Sequence, residues 1–157
     1  MPRIKIGGIM QNVNLSKVGV LSVPDRPGVA GATLRALGDA GINVQFIVQA
    51  IDLHNHDHII TCVAREDGAR AVAILEDVKD ELGAQKIIYI PEVAIVSIFG
   101  PDFREMPGIA GTMFTALASV GVNILAISTS ISTLSCVINA ADVDAAVQAL
   151  NEAFELP

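Results

Sequence analysis

Pro27-Gly28-Val29-Ala30-Gly31 recurs later in the chain as Pro107-Gly108-Ile109-Ala110-Gly111. The offset of 80 residues (107 − 27) also relates Gly41-Ile42-Asn43-Val44 to Gly121-Val122-Asn123-Ile124. A long internal repeat of this kind indicates two copies of one supersecondary unit. The fold therefore depends on what one copy forms, and the function depends on what a pair of copies does.

Each copy predicts a βαββαβ unit. Pro27 suits the first turn of a helix, where its missing N–H costs nothing, and Gly41 suits the left-handed position that ends one. Val29, Leu34 and Leu37 give this helix an apolar stripe. The rest of the first unit is predicted in order as a strand at 18–23 before the helix, a strand at 43–51, a turn at 52–57, a strand at 59–64, a helix at 68–81 and a strand at 85–90.

The second copy begins with a strand at 93–99 after Pro91 and ends with a helix from 142 to about 154. It lacks a fourth strand of its own, and a sheet without it would expose unpaired backbone groups along an edge. Residues 3–9 are the available strand, with Asn12-Val13-Asn14 predicted as a loop. We therefore expect an α+β fold of two ferredoxin-like units with antiparallel sheets and helices on one face. The first unit, 15–91, is inserted into the second, which comprises 1–14 plus 92–157.

Composition narrows the function. The 157 residues carry 10 basic and 17 acidic side chains, a net charge of −7, which disfavours nucleic-acid partners because phosphate binding relies on Lys and Arg. No apolar stretch reaches the roughly 20 residues that span a bilayer, so no membrane partner is expected. No cationic and apolar leader opens the chain, which predicts a cytoplasmic location.

Two further patterns bear on chemistry. Cys62 and Cys136 lie in apolar strand-like runs, which predicts buried, reduced thiols. His54, His56 and His58 alternate, so a metal site and a solvated loop are both open interpretations, the loop being favoured because no other ligand cluster adds to them. No cofactor is expected. An enzyme is the main alternative class of protein. The sequence suggests no pairing of a nucleophile with a base, so no catalytic residue is assigned.

The repeated Pro-Gly turn offers a site for an anionic group. A carboxylate at a helix N-terminus meets free N–H groups and the positive end of the helix dipole. Gly28 lets a ligand approach the backbone, and Val29 and Ala30 supply N–H groups. Asp25 can accept a hydrogen bond from an ammonium group, and the side-chain amides of Asn43 and Asn123 can both donate and accept. The alternative is that these residues form turns and nothing more.

The order of motifs resembles the ACT domain, an amino-acid-sensing regulatory module, and in particular the tandem ACT region of aspartate kinase. The resemblance covers nearly the whole chain. It rests on Gly8-Ile9, Val23-Pro24-Asp25-Arg26-Pro27-Gly28-Val29-Ala30, Ile42-Asn43-Val44, Ile47-Val48-Gln49, Val122-Asn123-Ile124, Ile127-Ser128-Thr129-Ser130 and Ala149-Leu150-Asn151-Glu152-Ala153-Phe154-Glu155-Leu156.

The resemblance implies a non-catalytic regulatory chain that senses threonine or lysine at a dimer interface for feedback control of aspartate kinase. By resemblance the pocket takes Asp25, Gly28, Ala30 and Gln49 from the first unit, with Asn123 and Ile124 from a partner chain. Pro27, Val29 and Asn43 complete the candidate residues.

The resemblance also bears on partners and effector. It implies a homodimer, and a separate kinase catalytic subunit is a further candidate partner, since some family members carry the regulatory half alone. Ile131 stands where the family usually has Glu, and Ala50 where it usually has Asn, which favours threonine over lysine. The alternative function is a free-standing ACT oligomerisation module with no small-molecule ligand.

Overall fold

The computed structural model describes residues 2–101 and 103–157, so Met1 and Asp102 of the predicted second unit lie outside the described residues. The chain divides into two compact units, Asn14–Glu92 (the first unit) and Met1–Val13 with Val93–Pro157 (the second unit). The strands are β1 (Ile4–Lys5), β2 (Gly8–Pro24), β3 (Val44–Ile51), β4 (His56–Ala64), β5 (Lys86–Phe99), β6 (Ala126–Thr129), β7 (Thr133–Asn139) and β8 (Phe154–Glu155). The helices are α1 (Val29–Asp39), α2 (Gly68–Leu82), α3 (Ile109–Ser119) and α4 (Val143–Ala153). The predicted α+β class with two ferredoxin-like units is confirmed.

In the first unit the strand order is β3-β4-β2-β5, with β4 antiparallel to both β2 and β3. Its core joins strand residues such as Val18, Val20 and Ile59 to Leu37 of α1 and Leu75 of α2. Burial of these aliphatic side chains is the main stabilising contribution to the unit. The buried residues of α1 are Val29, Thr33 and Leu37, so Thr33, and not the neighbouring Leu34, faces the core. The Thr33 hydroxyl donates a hydrogen bond to Val29 O at 2.9 Å.

In the second unit β5 lies between β2 and β7, and β6 is the outer strand. The short strands β1 and β8 form a separate parallel pair, with Ile4 opposite Phe154 and Lys5 opposite Glu155. The Gly7 N–H donates to Phe99 O at 2.6 Å, and the Ile6 N–H donates to Glu155 O at 3.0 Å. The backbone of residues 4–7 is therefore hydrogen-bonded to elements of the second unit.

Four local predictions were wrong in detail. Asn12-Val13-Asn14 is not a loop but part of β2, because backbone pairing outweighs a polar composition at an exposed strand. Pro91 does not separate two strands: β5 runs through it, since proline lacks only the N–H and its carbonyl accepts from Ser16 Oγ at 2.7 Å. The return strand begins at His56, within the predicted turn, and Phe154 starts β8 rather than ending the last helix.

The two cysteines are free and buried, as expected. Burial raises the pKa of both thiols to about 12, and the charge of Lys17 opposes this effect at Cys62. Both thiols are therefore protonated and unreactive at neutral pH. Along the part of the chain that the structure describes, no helix is long and apolar enough to cross a membrane.

Candidate functional site

The candidate site of the first unit is built around the N-terminus of α1. The helix begins at Val29, and its N-cap is Gly28 in the left-handed conformation, φ 97°. Pro27 therefore lies just before the cap, so the prediction that it lies in the first turn of the helix was wrong: the left-handed Gly28 is the N-cap and the helix begins at Val29. The first helical hydrogen bond runs from the Ala32 N–H to Gly28 O at 2.9 Å.

The start of the hydrogen-bond ladder leaves backbone donors at the helix end. The Val29 N–H donates weakly to Arg26 O at 3.4 Å, and the N–H groups of Ala30 and Gly31 precede the ladder. A Cβ at Gly28 would meet no atom within 4 Å, so the approach to these donors is open. The arrangement suits an anionic group such as a carboxylate, which the helix dipole also attracts.

The neighbouring cation is directed elsewhere. The Arg26 guanidinium donates to Leu82 O and Glu81 O, both at 3.3 Å, and so satisfies carbonyl groups at the C-terminus of α2. Asp25, adjacent to Arg26 in sequence, is exposed and makes no ion pair with it. The turn therefore presents backbone N–H groups and a carboxyl group side by side.

Asp25 is held against the β3–β4 hairpin. Its backbone N–H donates to Asn55 O at 3.0 Å, and it follows two residues after Val23, the direct strand partner of Asp57, so Asp25 and Asp57 are neighbours. Asp57 is 1% exposed and lies in β4, opposite Val23 of β2 and Ile51 of β3. Its Oδ1 atom is buried without a hydrogen-bond partner.

Burial raises the pKa of Asp57, and the negative charge of Asp25 and its hydrogen bond raise it further. Asp52 acts in the same direction, whereas His58 favours the ionised form. A buried carboxylate next to a second carboxylate is unfavourable, so the protonated form of Asp57 is stabilised.

Gln49 lies close to this pair. Directly paired strand residues share one face of a sheet, and the pairs here are Gln49 with Ile59 and Ile51 with Asp57. Gln49 and Asp57 are therefore diagonal neighbours on the face that carries the buried Ile59. Gln49 is exposed because it lies on the edge strand β3.

The other candidate residues are separate from this group. Asn43 is exposed and precedes β3, beyond the C-terminal end of α1, so the length of the helix separates it from Asp25. Asn123 is exposed and Ile124 half-buried, and both lie in the second unit between α3 and β6. Within one chain the structure thus groups Asp25, Pro27, Gly28, Val29, Ala30 and Gln49 in the first unit.

The turn of the second unit repeats the backbone of the first. Gly108 is the N-cap of α3 at φ 92°, ψ −7°, against φ 97°, ψ −7° at Gly28. The Thr112 N–H donates to Gly108 O at 2.9 Å, as Ala32 does to Gly28. A cavity of about 320 Å³ lies near this turn, lined by Lys5, Ile6, Gly7, Gly100, Pro101, Phe103 and Met106. No carboxylate lines it among the described residues.

The histidine cluster belongs to the hairpin. His58 Nε2 lies 2.8 Å from Asp52 Oδ2, and Asp52 Oδ1 accepts from the backbone N–H groups of His54 and His56. The imidazole hydrogen bond, followed by these two backbone donors, lowers the pKa of Asp52 to about 2. Over residues 2–101 and 103–157, no group of three or more His, Cys, Asp or Glu side chains is placed to hold a metal ion. Hydrogen bonds to the Asp52 carboxylate therefore hold the hairpin turn together.

Asp57 was missed by sequence reasoning, which placed it in a turn. A signal was present, because Asp57 stands two residues before the apolar Ile59 of the return strand. Extending that strand backwards by one pair would have put an acidic side chain on the core-facing side, which is unusual for aspartate.

Comparisons with known proteins give two family matches within the chain. The ACT domain matches residues 18–83 and again residues 96–154. Among curated relatives, the aspartokinase of Mycolicibacterium smegmatis is 38% identical over 152 residues, and that of Thermus thermophilus is 33% identical over 153. These matches cover 95% and 96% of this chain but 36% and 38% of the relatives, so the chain spans about a third of their length.

Solved structures agree with the sequence matches. The regulatory subunit of aspartate kinase from Thermus flavus has a TM-score of 0.88 and 33% identity, over 96% of this chain and 99% of that one. The aspartate kinase from Synechocystis has a TM-score of 0.91 and 35% identity, over 97% of this chain and 28% of that one. A structure of aspartokinase alpha and beta subunits is similar at 0.87 and 34%. These matches confirm the expected correspondence of the chain to the ACT-domain regulatory region of aspartate kinases.

Proposed function

Since the chain belongs to the ACT-domain family and is homologous to the regulatory regions of aspartate kinases, we propose that it senses a free amino acid for feedback control of such a kinase. Threonine is the preferred ligand and lysine the second candidate. The chain acts as a cytoplasmic homodimer. The observation that carries the proposal is the open N-terminus of α1 at Gly28, with the Asp25 carboxyl group beside it.

The proposed binding mode uses both ends of the zwitterion. The α-carboxylate accepts hydrogen bonds from the backbone N–H groups at Ala30 and Gly31, and the α-ammonium donates to Asp25. Gln49, on the edge strand β3, supplies a further polar contact to the ligand. A second copy of the chain contributes Asn123 and Ile124, which closes the pocket. Asn43 is the counterpart of Asn123 in the first unit, and it makes the corresponding contact with the second unit of a partner chain.

The choice of threonine rests on what the chain lacks. Ile131 and Ala50 offer no polar group where a longer ammonium side chain such as that of lysine would need one. Binding of the amino acid then shifts the dimer from one arrangement of its two chains to another. A separate catalytic subunit is the proposed partner whose activity responds to this shift.

We also propose that each compact unit is one ACT domain, with bounds 15–91 and 1–14 plus 92–157. The hydrogen bonds from Ile6 to Glu155 and from Gly7 to Phe99 support this organisation, because they join the N-terminal segment to the second unit.

Titration calorimetry of the chain with threonine and with lysine tests the proposal. Threonine is expected to bind more tightly, and Asp25→Asn to weaken binding about tenfold or more, since the amide oxygen still accepts from the ammonium group but the negative charge of the carboxylate is lost. Asp77→Asn, at an exposed position of α2, is the matched control and should bind as the unchanged chain does. Saturation at about 100 times the dissociation constant should add about 2.7 kcal/mol to the free energy of unfolding. Absence of binding for both amino acids would refute the proposal.

A ligand-independent oligomerisation module is the second candidate. Apolar side chains are exposed on the outer strands of both units, with Ile51 of β3 56% exposed and Ile127 of β6 43% exposed. Sedimentation shows whether the chain is a dimer, and a dimer that is unaffected by every protein amino acid favours this candidate.

A further inference from the structure

Asp57 is an acidic side chain that the proposed binding mode does not use. It is 1% exposed, and among the described residues it supplies the one buried side-chain oxygen without a hydrogen-bond partner, Oδ1. An ionised carboxylate left buried and unpartnered is costly, whereas a neutral carboxyl group is less so.

Asp25 and Asp57 are neighbours across the β2–β4 pairing, and a hydrogen bond between their carboxyl groups requires a proton. Ionised carboxylates are acceptors without a donor, so two of them form a hydrogen bond only when one is protonated. The buried Asp57 is the group whose ionisation is disfavoured, while Asp25 is exposed. Asp57 is therefore the donor and Asp25 the acceptor.

The two neighbouring basic side chains, Arg26 and His58, are bonded to other groups. Arg26, next in sequence to Asp25, donates to the carbonyl groups of Leu82 and Glu81. His58, on the hairpin, also interacts electrostatically with Asp57. However, its Nε2 atom is hydrogen-bonded to the Asp52 carboxylate at 2.8 Å. A cation next to both carboxylates would stabilise their ionised forms. The exposed side of the pair, at Asp25, is open to such a cation.

We propose that Asp57 is a positioning residue for ligand binding, which holds the Asp25 carboxylate through one shared proton and gives up that proton when a ligand ammonium group binds. The inference rests on the proposed amino-acid function. Before binding, the pair carries one negative charge and one proton. After binding, both carboxylates are ionised, the ammonium neutralises one charge, and the proton passes to the solvent.

Proton release distinguishes this role from a purely structural one. Calorimetric titration of the chain with threonine, and with lysine, in two buffers that titrate near the working pH and differ in ionisation enthalpy, such as acetate and MES, gives the number of protons released from the difference in heat. Release approaching one proton per site is expected at pH values just above the ordinary aspartic acid pKa, about 3.9, and falls towards zero as pH rises and Asp57 ionises in the free chain. The affinity of the unchanged chain is expected to rise over the same interval.

Asp57→Asn is the diagnostic variant, because an amide keeps the donor to Asp25 but holds no proton to release. It is expected to release none, to bind about tenfold more weakly at high pH, and to bind as the unchanged chain does at low pH. Asp77→Asn should release protons normally. The variant should also unfold at a higher temperature at neutral pH, since a carboxyl whose pKa is raised by folding costs stability once it ionises.

Infrared spectroscopy of the ligand-free chain in ²H₂O provides a measurement that needs no ligand. A protonated carboxyl band that persists above the ordinary aspartic acid pKa and disappears in Asp57→Asn supports the inference, and its absence overturns it. Binding of threonine or lysine without proton release overturns the inference and leaves the proposed function intact. Absence of binding for both amino acids overturns both.

Discussion

Single residues set the chemistry of each turn. Gly28 and Gly108 share a left-handed backbone and an open approach, although the side chains around the two turns differ. Asp25 has Asp57 as its neighbour in the first unit. The repeated glycine could be recognised in the sequence because its backbone role is local. The contact between Asp25 and Asp57 could not, because it depends on the register between β2 and β4.

Replacing Gly28 by alanine tests the left-handed cap. The positive φ disfavours any residue with a Cβ, so Gly28→Ala is expected to lower the free energy of unfolding by about 1 kcal/mol, measured by urea denaturation. Gly31→Ala is the control, because a Cβ there also meets no atom within 4 Å and the residue is helical. It is expected to be neutral or stabilising. Equal losses in the two variants would contradict the argument.

Asp52 stabilises the hairpin as a carboxylate. Folding lowers its pKa from 3.8 to about 2, so its contribution is complete above pH 3.8 and is lost as pH falls through about 2. Asp52→Asn should therefore be less stable than the unchanged chain at neutral pH, with the difference disappearing in strong acid. Denaturation across pH measures this difference. Asp39→Asn, at the exposed end of α1, should show none of this dependence.

Among the elements, β2 and β5 depart most from the predicted boundaries. Each was expected as two pieces, separated by Asn12-Val13-Asn14 in one case and by Pro91 in the other. Both are continuous over Gly8–Pro24 and Lys86–Phe99. Polar residues and proline are local signals for a break, but pairing with a neighbouring strand is a tertiary effect that such signals do not contain.

The contact between Ser16 and Pro91 explains how β5 tolerates its proline. Ser16 is fully buried and its hydroxyl donates to Pro91 O at 2.7 Å. Ser16→Ala leaves that carbonyl without this donor and is expected to cost about 1 kcal/mol of unfolding free energy. Ser119→Ala removes an exposed hydroxyl that donates to Ala116 O at 2.6 Å, and should cost less because water replaces it. Urea denaturation compares the two, and a larger loss at Ser119 would contradict the argument.

At the scale of the whole molecule, the repeat predicted the fold class and the helices with small errors at their ends. It did so because helix caps and apolar periodicity are local properties that both copies carry. The site was only partly predictable. Asp25 to Ala30 are contiguous in sequence and stay together, whereas Asn43 is separated from them by the length of α1. The spacing of Asp57 from Ile59 indicates its face of β4, but its position next to Asp25 depends on the register with β2, which is not a local property.

Deletion of residues 2–7 tests which unit the N-terminal segment stabilises. The buried Ile6 and the hydrogen bonds from Ile6 and Gly7 would be lost, all of which belong to the second unit. Faster amide exchange is expected in α3 and α4, and unchanged exchange in α1 and α2. Deletion of residues 2 and 3 alone, both exposed, is the control. Faster exchange in the first unit instead would contradict the proposed organisation.

The parallel pair of β1 and β8 brings residues near the two ends of the chain side by side, Ile4 opposite Phe154. Those ends can therefore be joined by a short linker, and the polypeptide reopened at the exposed hairpin tip around Leu53, 97% exposed. Such a circular permutant would turn the first unit from an insertion into two terminal segments. The order of synthesis would then change, while every strand pairing could still form.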